Sequence, residues 1–149
     1  MLKTASLVLA AAITLAAPAL ADTAKPEITV YKSASCGCCG GWIDHMRANG
    51  YTVHAKNVEA MDMVKQMMGV PAAMESCHTA TVDGYVVEGH VPADAVDRLL
   101  ADRPDAAGLA VPGMPIGSPG MEQGGRSEPY AAMLFDRQGA AKTFMEYGK

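Results

Sequence analysis

The sequence predicts an α/β fold in which short strands alternate with helices and a hairpin closes the series. Three observations carry that expectation. Runs of β-branched and aromatic residues recur between stretches with helical apolar spacing. Asp83-Gly84 separates two such runs, the signature of a tight hairpin turn. The chain has 149 residues, 50% of them hydrophobic and 19% charged, which suits one domain with its own core and excludes wholesale disorder.

The chain begins with an address. Met1-Leu2-Lys3 gives a positive start and Ala5 to Ala17 a run of small apolar residues. Pro18 breaks the run, and Ala19-Leu20-Ala21 has the small-x-small pattern that signal peptidase cuts. Residues 1–21 are therefore expected to be a signal peptide cleaved after Ala21. The run carries Thr14, ends at Pro18 and is too short for a stable membrane anchor. Export is expected to place the mature chain in a bacterial-type periplasm or outside the cell, where thiols oxidise unless a partner or a metal holds them.

Residues 22–103 supply the alternating elements. Ile28-Thr29-Val30-Tyr31 reads as a strand, and Ser33 to Gly41 as a small-residue turn holding three cysteines. Trp42, Ile43, Met46 and Arg47 fall at helical spacing, stopped by Asn49-Gly50. Tyr51 to Val58 alternates like a second strand. Met61, Val64, Lys65, Met67 and Met68 suggest a second helix, closed by Gly69 and Pro71. Thr79 to Asp83 and Tyr85 to Glu88 form the hairpin. Pro92 opens a last helix whose apolar face is Ala95, Val96, Leu99 and Leu100. The order is βαβαββα, that of thioredoxin-like domains. Strands joined through a helix are expected to run parallel, and the hairpin antiparallel.

Residues 104–149 are expected to be a C-terminal extension packed on the same domain. Pro104 to Glu128 is rich in Gly, Pro and Ser and reads as one long loop. Ala131 to Phe135 and Lys142 to Tyr147 flank Arg137-Gln138-Gly139 as a second hairpin. A loop of about 25 residues inside a compact domain is more often functional than merely connecting.

Charge excludes one function class. Twelve Lys and Arg against 16 Asp and Glu leave a net charge of −4. The basic residues are scattered, so no nucleic-acid partner is expected.

Cysteine spacing carries the chemistry. Cys36-Gly37-Cys38-Cys39 holds three thiols and Cys77 the fourth. A purely structural disulfide reading is unattractive, because a bridge within 36–39 closes almost no loop. Cys36 and Cys39 form a Cys-x-x-Cys pair at a helix N-terminus, where the dipole favours a thiolate, so thiol redox is a second reading. Against it stand Cys38 inside the pair and Ser76-Cys77-His78-Thr79 entering the third strand without the proline that thiol oxidoreductases carry there. Metal binding is the third. The topology brings Cys77 and His78 beside the 36–39 turn, and soft thiolates select Cu(I), Zn or iron–sulfur clusters. A triplet with two adjacent cysteines suits bridged ions better than one tetrahedral zinc, which favours copper.

Thioether and imidazole ligands extend that expectation. Met114 and Met121 sit in Pro-Gly-Met-Pro-Ile-Gly-Ser-Pro-Gly-Met, where no periodicity explains them. Met46, Met61, Met63, Met67, Met68, Met74, Met133 and Met145 lie in element patterns and are expected to fill the core. His78 adjoins Cys77, and His90 ends a strand before Pro92. Both are candidate ligands, whereas His45 and His54 read as ordinary surface or core residues. The metal set is thus Cys36, Cys38, Cys39, Cys77, His78, His90, Met114 and Met121. The 104–128 loop is expected to fold over the cysteine turn, with Met114 or Met121 ligating or capping. The rival is that both fill gaps.

Cys36-Gly37-Cys38-Cys39-Gly40-Gly41-Trp42, Ser76-Cys77-His78-Thr79, Gly89-His90-Val91-Pro92 and Val111-Pro112-Gly113-Met114-Pro115 resemble the CopG-type copper-resistance proteins. The resemblance implies a periplasmic thioredoxin-like domain whose extension helps hold copper. It also implies a cysteine-bridged multinuclear copper site and interconversion of Cu(I) and Cu(II). Cys36, Cys38, Cys39 and Cys77 match the family's cysteine positions. The function expected is copper binding in copper resistance, with a copper oxidoreductase as the enzymatic form. A thiol–disulfide oxidoreductase and a passive copper chaperone are the alternatives. The expected partners are copper ions and a periplasmic copper efflux system or redox partner, with the protein itself a monomer.

Overall fold

The computed structural model describes residues 24–148. The expected signal peptide, residues 1–21, lies outside them. The α/β expectation holds: seven strands and three α-helices form β1 (Ile28–Lys32), α1 (Gly37–Ala48), β2 (Val53–Asn57), α2 (Met61–Met67), a 3₁₀ turn (Ala72–Met74), β3 (Thr79–Val82), β4 (Tyr85–Gly89), α3 (Ala93–Asp102), β5 (Gly108–Val111), β6 (Tyr130–Phe135) and β7 (Ala141–Tyr147). All seven strands join one sheet in the order β2-β1-β3-β4-β5-β6-β7.

Strand directions follow from the connections, with one exception. β1 and β2, joined through α1, are parallel, and so are β4 and β5, joined through α3. The β3–β4 hairpin turns on Asp83 and Gly84, both at positive φ (45° and 87°), as a two-residue hairpin requires. The exception is β3, which lies antiparallel to β1 although a helix precedes it. α2 has seven residues, about 10 Å at 1.5 Å per residue. It is too short to carry the chain back along a strand, and the connection behaves as a loop.

Two further expectations need correction. Pro104 to Glu128 is not one loop, because Gly108–Val111 forms β5, buried at all four positions. A four-residue strand covered on both faces shows no alternation, so the sequence offers no period to read. The cysteine-bearing turn is also shorter than expected. α1 begins at Gly37, inside it, capped by the Cys36 sulfur accepting from the Cys39 backbone N–H at 3.3 Å.

The core lies where α1 and α3 cover the sheet. α1 buries Trp42, Ile43 and Met46, α3 buries Ala95, Val96 and Leu99, and the strands add Ile28, Val30, Val87, Leu109 and Val111. Trp42 is fully buried and its indole N–H reaches the Val91 carbonyl at 2.8 Å. Removing such a ring costs about 3–5 kcal/mol. Met46 fills the core as expected, but Met63 and Met67 do not: they are 60% and 81% exposed. α2 turns only a narrow side to the protein, and its one buried residue is Lys65.

Because β3 runs against β1 and β4, one edge of the sheet collects the C-terminal ends of β1, β4 and β5 and the N-terminal end of β3. Cys36 follows β1, Cys77 precedes β3, and His90 follows β4.

Candidate metal centre

Four sulfurs meet at that edge. The ligand atoms of Cys36, Cys38, Cys39 and Cys77 all lie within 4.8 Å of one another. Cys36 and Cys39 are joined in a disulfide, while Cys38 and Cys77 are free and half-buried. Cys38 Sγ lies 3.6 Å from Cys36 Sγ and 3.7 Å from Cys77 Sγ, and Cys39 Sγ lies 3.7 Å from Cys77 Sγ. Cys77 is therefore the meeting point, brought beside α1 by the β1–β3 pairing.

Cys77 also belongs to a second group, with His78 and His90, whose ligand atoms again lie within 4.8 Å of one another. Cys77 Sγ stands 2.8 Å from His90 Nε2 and 3.5 Å from His78 Nδ1. His90 Nδ1 lies 2.8 Å from the Pro119 carbonyl, which can only accept, so Nδ1 carries the proton and Nε2 presents its lone pair to Cys77. A backbone carbonyl fixing the tautomer of an imidazole in this way is the usual support of a metal-ligating histidine. His78 packs against Trp42 and, edge-on, against His90, at centroid distances of 4.6 and 5.1 Å. Its Nε2 is buried without a hydrogen-bond partner.

Burial sets the electrostatics. It pushes the Cys77 thiol up to about 12, with the neighbouring Cys38 adding to the effect. It pulls His78 down to about 3, aided by the charges of His90, Lys65 and Lys32. His90 is lowered for the same first reason, partly opposed by the Pro119 carbonyl. Without a metal the site thus holds a protonated thiol and two neutral imidazoles. A cation that displaces the Cys77 proton meets thiolate sulfur beside imidazole nitrogen, a pairing that fits a thiophilic metal.

The glycine-rich segment reaches the site through its backbone. Pro119 orients His90, and Gly120 packs so close to α1 that a Cβ there would stand 2.5 Å from the Cys38 carbonyl oxygen. At its other end, Gly113 N–H donates to the Glu75 carbonyl at 3.1 Å, and Ser76 Oγ donates to the Gly113 carbonyl. Met121 follows Gly120 and is half-buried, whereas Met114 is 53% exposed. His45 accepts from the Ala93 N–H at the start of α3, and His54 pairs with Glu27 on the surface.

Sequence reasoning missed two features. The Pro119 carbonyl carries no side-chain signal. The buried Lys65–Glu88 pair beneath Cys77 left one trace, a lysine occupying an apolar-series position of the second helix.

A mixed sheet protein that gathers four cysteine sulfurs and two buried imidazoles at one edge has the donor set of a small protein able to hold a thiophilic metal. Comparison with solved structures narrows the class. Copper resistance protein copG, Form 2, shares 47% identity and a TM-score of 0.79, over 83% of this chain and 99% of that one. Form 1 shares 46% identity at the same TM-score, over 84% of this chain and 99% of that one. The chain belongs to this CopG copper resistance protein family. Residues 74–121, which include Cys77, His78 and His90, also match the family described as a protein of unknown function, DUF411. A comparison with curated proteins finds no match.

Proposed function

We propose that the protein is a periplasmic copper-binding protein of copper resistance, exported by residues 1–21. Cys38 and Cys77 would hold the metal with His78 and His90, joined by Cys36 and Cys39 when their disulfide is open, and Met121 or Met114 would cap the site. The observation that carries this reading is the sharing of Cys77 between the four-sulfur group and the two-imidazole group. One thiolate serving both groups suits bridging, hence more than one copper per chain. The family's copper resistance proteins support the choice of metal.

The Cys36–Cys39 disulfide gives the site a redox partner of its own. Two thiolates closing to a disulfide release two electrons, which would reduce two Cu(II) to two Cu(I). The reverse reaction would consume them. Interconversion of the two ions is thus the reaction we assign, with copper as substrate.

Copper analysis of the reduced chain tests the binding. We expect more than one copper per chain, and a large loss in Cys77→Ser. The double variant Met114→Leu/Met121→Leu keeps its bulk and is expected to fold as before while losing affinity. Full copper in Cys77→Ser would sink the shared site, and unchanged copper in the double variant would leave both methionines as packing.

The disulfide also favours a second reading, a thiol–disulfide oxidoreductase. Cys38 lies as close to the pair as any substrate sulfur could, so it competes with an incoming thiol. We expect negligible reduction of insulin by the metal-free reduced chain. Turnover like that of a thioredoxin would favour the second reading over copper.

A further inference from the structure

Lys65 and Glu88 are 4% and 0% exposed, and their side chains form an ion pair beneath the site. Glu88 Oε1 accepts from Lys65 Nζ and, at 2.7 Å, from the backbone N–H of Ser76. Glu88 Oε2 accepts from Thr79 Oγ1 at 2.6 Å, and Lys65 Nζ donates to the same Thr79 oxygen at 3.2 Å. Ser76 directly precedes Cys77, and Thr79 directly follows His78. One carboxylate therefore grips the chain on both sides of Cys77-His78.

Stability alone does not explain the pair. Exchanging a buried ion pair for apolar residues of similar volume is often neutral or stabilising, because the desolvation of both charges offsets their attraction. An apolar pair in this place, however, would leave the Ser76 N–H without its acceptor. The Gly89 N–H donates to the His78 carbonyl at 2.9 Å, and on the solvent side Ser76 Oγ and the Glu75 carbonyl are tied to Gly113, but none of these bonds accepts from the Ser76 N–H.

The geometry points to Glu88 as a positioning residue, oriented by Lys65, that fixes Ser76-Cys77-His78 so that the Cys77 sulfur stays within reach of Cys38, Cys39 and His90. Its effect on copper rests on the function proposed above. Its effect on the Cys77 thiol does not.

Two double variants of the full chain separate positioning from stability. Lys65→Met/Glu88→Leu removes both charges and the acceptor. Lys65→Met/Glu88→Gln removes both charges and keeps an amide oxygen for Ser76. With the Cys36–Cys39 disulfide left closed and no metal present, Cys38 and Cys77 are the free thiols among the described residues. Competitive iodoacetamide labelling, read by mass spectrometry, gives their ratio. We expect the leucine variant to raise Cys77 labelling relative to Cys38 about fivefold, the scale of one lost hydrogen bond. The glutamine variant should label near the parent, and the leucine variant should still melt cooperatively, though below the parent because its Ser76 N–H is left unsatisfied. Cu(I) competition should follow the same order. A leucine variant that folds and labels like the parent overturns the proposal, as does a glutamine variant that labels like the leucine one. If the leucine variant does not fold, hydrogen exchange at the Ser76 amide of the parent decides. Protection matching the β3 amides supports the clamp, and free exchange overturns it. A parent that binds no copper sinks the copper reading and leaves the labelling result standing.

Discussion

His78 lies between the Trp42 ring and His90 with one ring nitrogen buried and unpaired, and that arrangement has a consequence for acid stability. In the fold its pKa is pulled from 6.5 down to about 3, first by burial and then by neighbouring positive charge. The unfolded chain therefore binds a proton in that window that the folded chain refuses. By linkage, stability is full above 6.5 and declines as pH falls towards 3. His90, also lowered by burial, adds to the same limb. On the other side Tyr51, Tyr130 and Tyr147, raised by burial, act above 10.0, and Cys77 acts first. Its thiol is raised from 9.0 to about 12, so the unfolded chain releases a proton first and stability declines above 9.0. Denaturant midpoints of the metal-free chain should therefore form a plateau between 6.5 and 9.0 with a falling limb on each side. His78→Leu should flatten the acid limb and leave the alkaline limb as it was. An acid limb of unchanged steepness in that variant would assign the acid sensitivity elsewhere.

Among the elements, the segment after β5 and helix α1 depend on each other at one glycine. Gly120 has φ +85°, and a Cβ there would stand 2.5 Å from the Cys38 carbonyl oxygen and 2.7 Å from the Trp42 nitrogen. Gly120→Ala combines a left-handed backbone with a backbone clash, and should cost about 1–3 kcal/mol. Gly124, at φ +57° with nothing within 4 Å, has the strain without the clash. Gly124→Ala should cost clearly less than Gly120→Ala. Denaturant melts of the two variants check the difference, and equal losses would mean that the contact with α1 contributes nothing. These elements also show what the sequence made legible. β1, β2, the β3–β4 hairpin and α3 were readable because each carries a period or a turn signal of its own. The start of α1 was not, because Gly37, Gly40 and Gly41 argue against a helix by propensity. Tertiary contact overrides them, since a Cβ at Gly41 would stand 2.8 Å from the Gly120 Cα. The cysteine cluster was legible from spacing and strand order. The Pro119 carbonyl and the Glu88 carboxylate were not, because their roles come from hydrogen bonds between segments far apart in sequence.

At the scale of the whole molecule, the residues from 104 onwards complete a sheet rather than decorate one. β5 pairs with β4 along Val86 to Gly89, and β6 and β7 continue the sheet beyond it. Leu109, Val111, Ala132 and Leu134 belong to the same buried cluster as Trp42, Val96 and Leu99. A chain ending at Arg103 would turn β4 into an open edge, uncover the helix faces and remove the Pro119 carbonyl from His90 in one cut. Each uncovered Leu or Val side chain forfeits about 1.5–3 kcal/mol of burial, and a domain has only about 5–15 kcal/mol of net stability to lose. We therefore propose that residues 22–103 do not stand as an independent unit, and that the extension is part of the fold before it is part of the metal site. The truncated chain should lack a cooperative thermal transition and should associate through its β4 edge. Circular dichroism and size-exclusion chromatography read both outcomes. A monomer with a cooperative melt near that of the parent would restore the extension to an accessory that folds onto a finished domain.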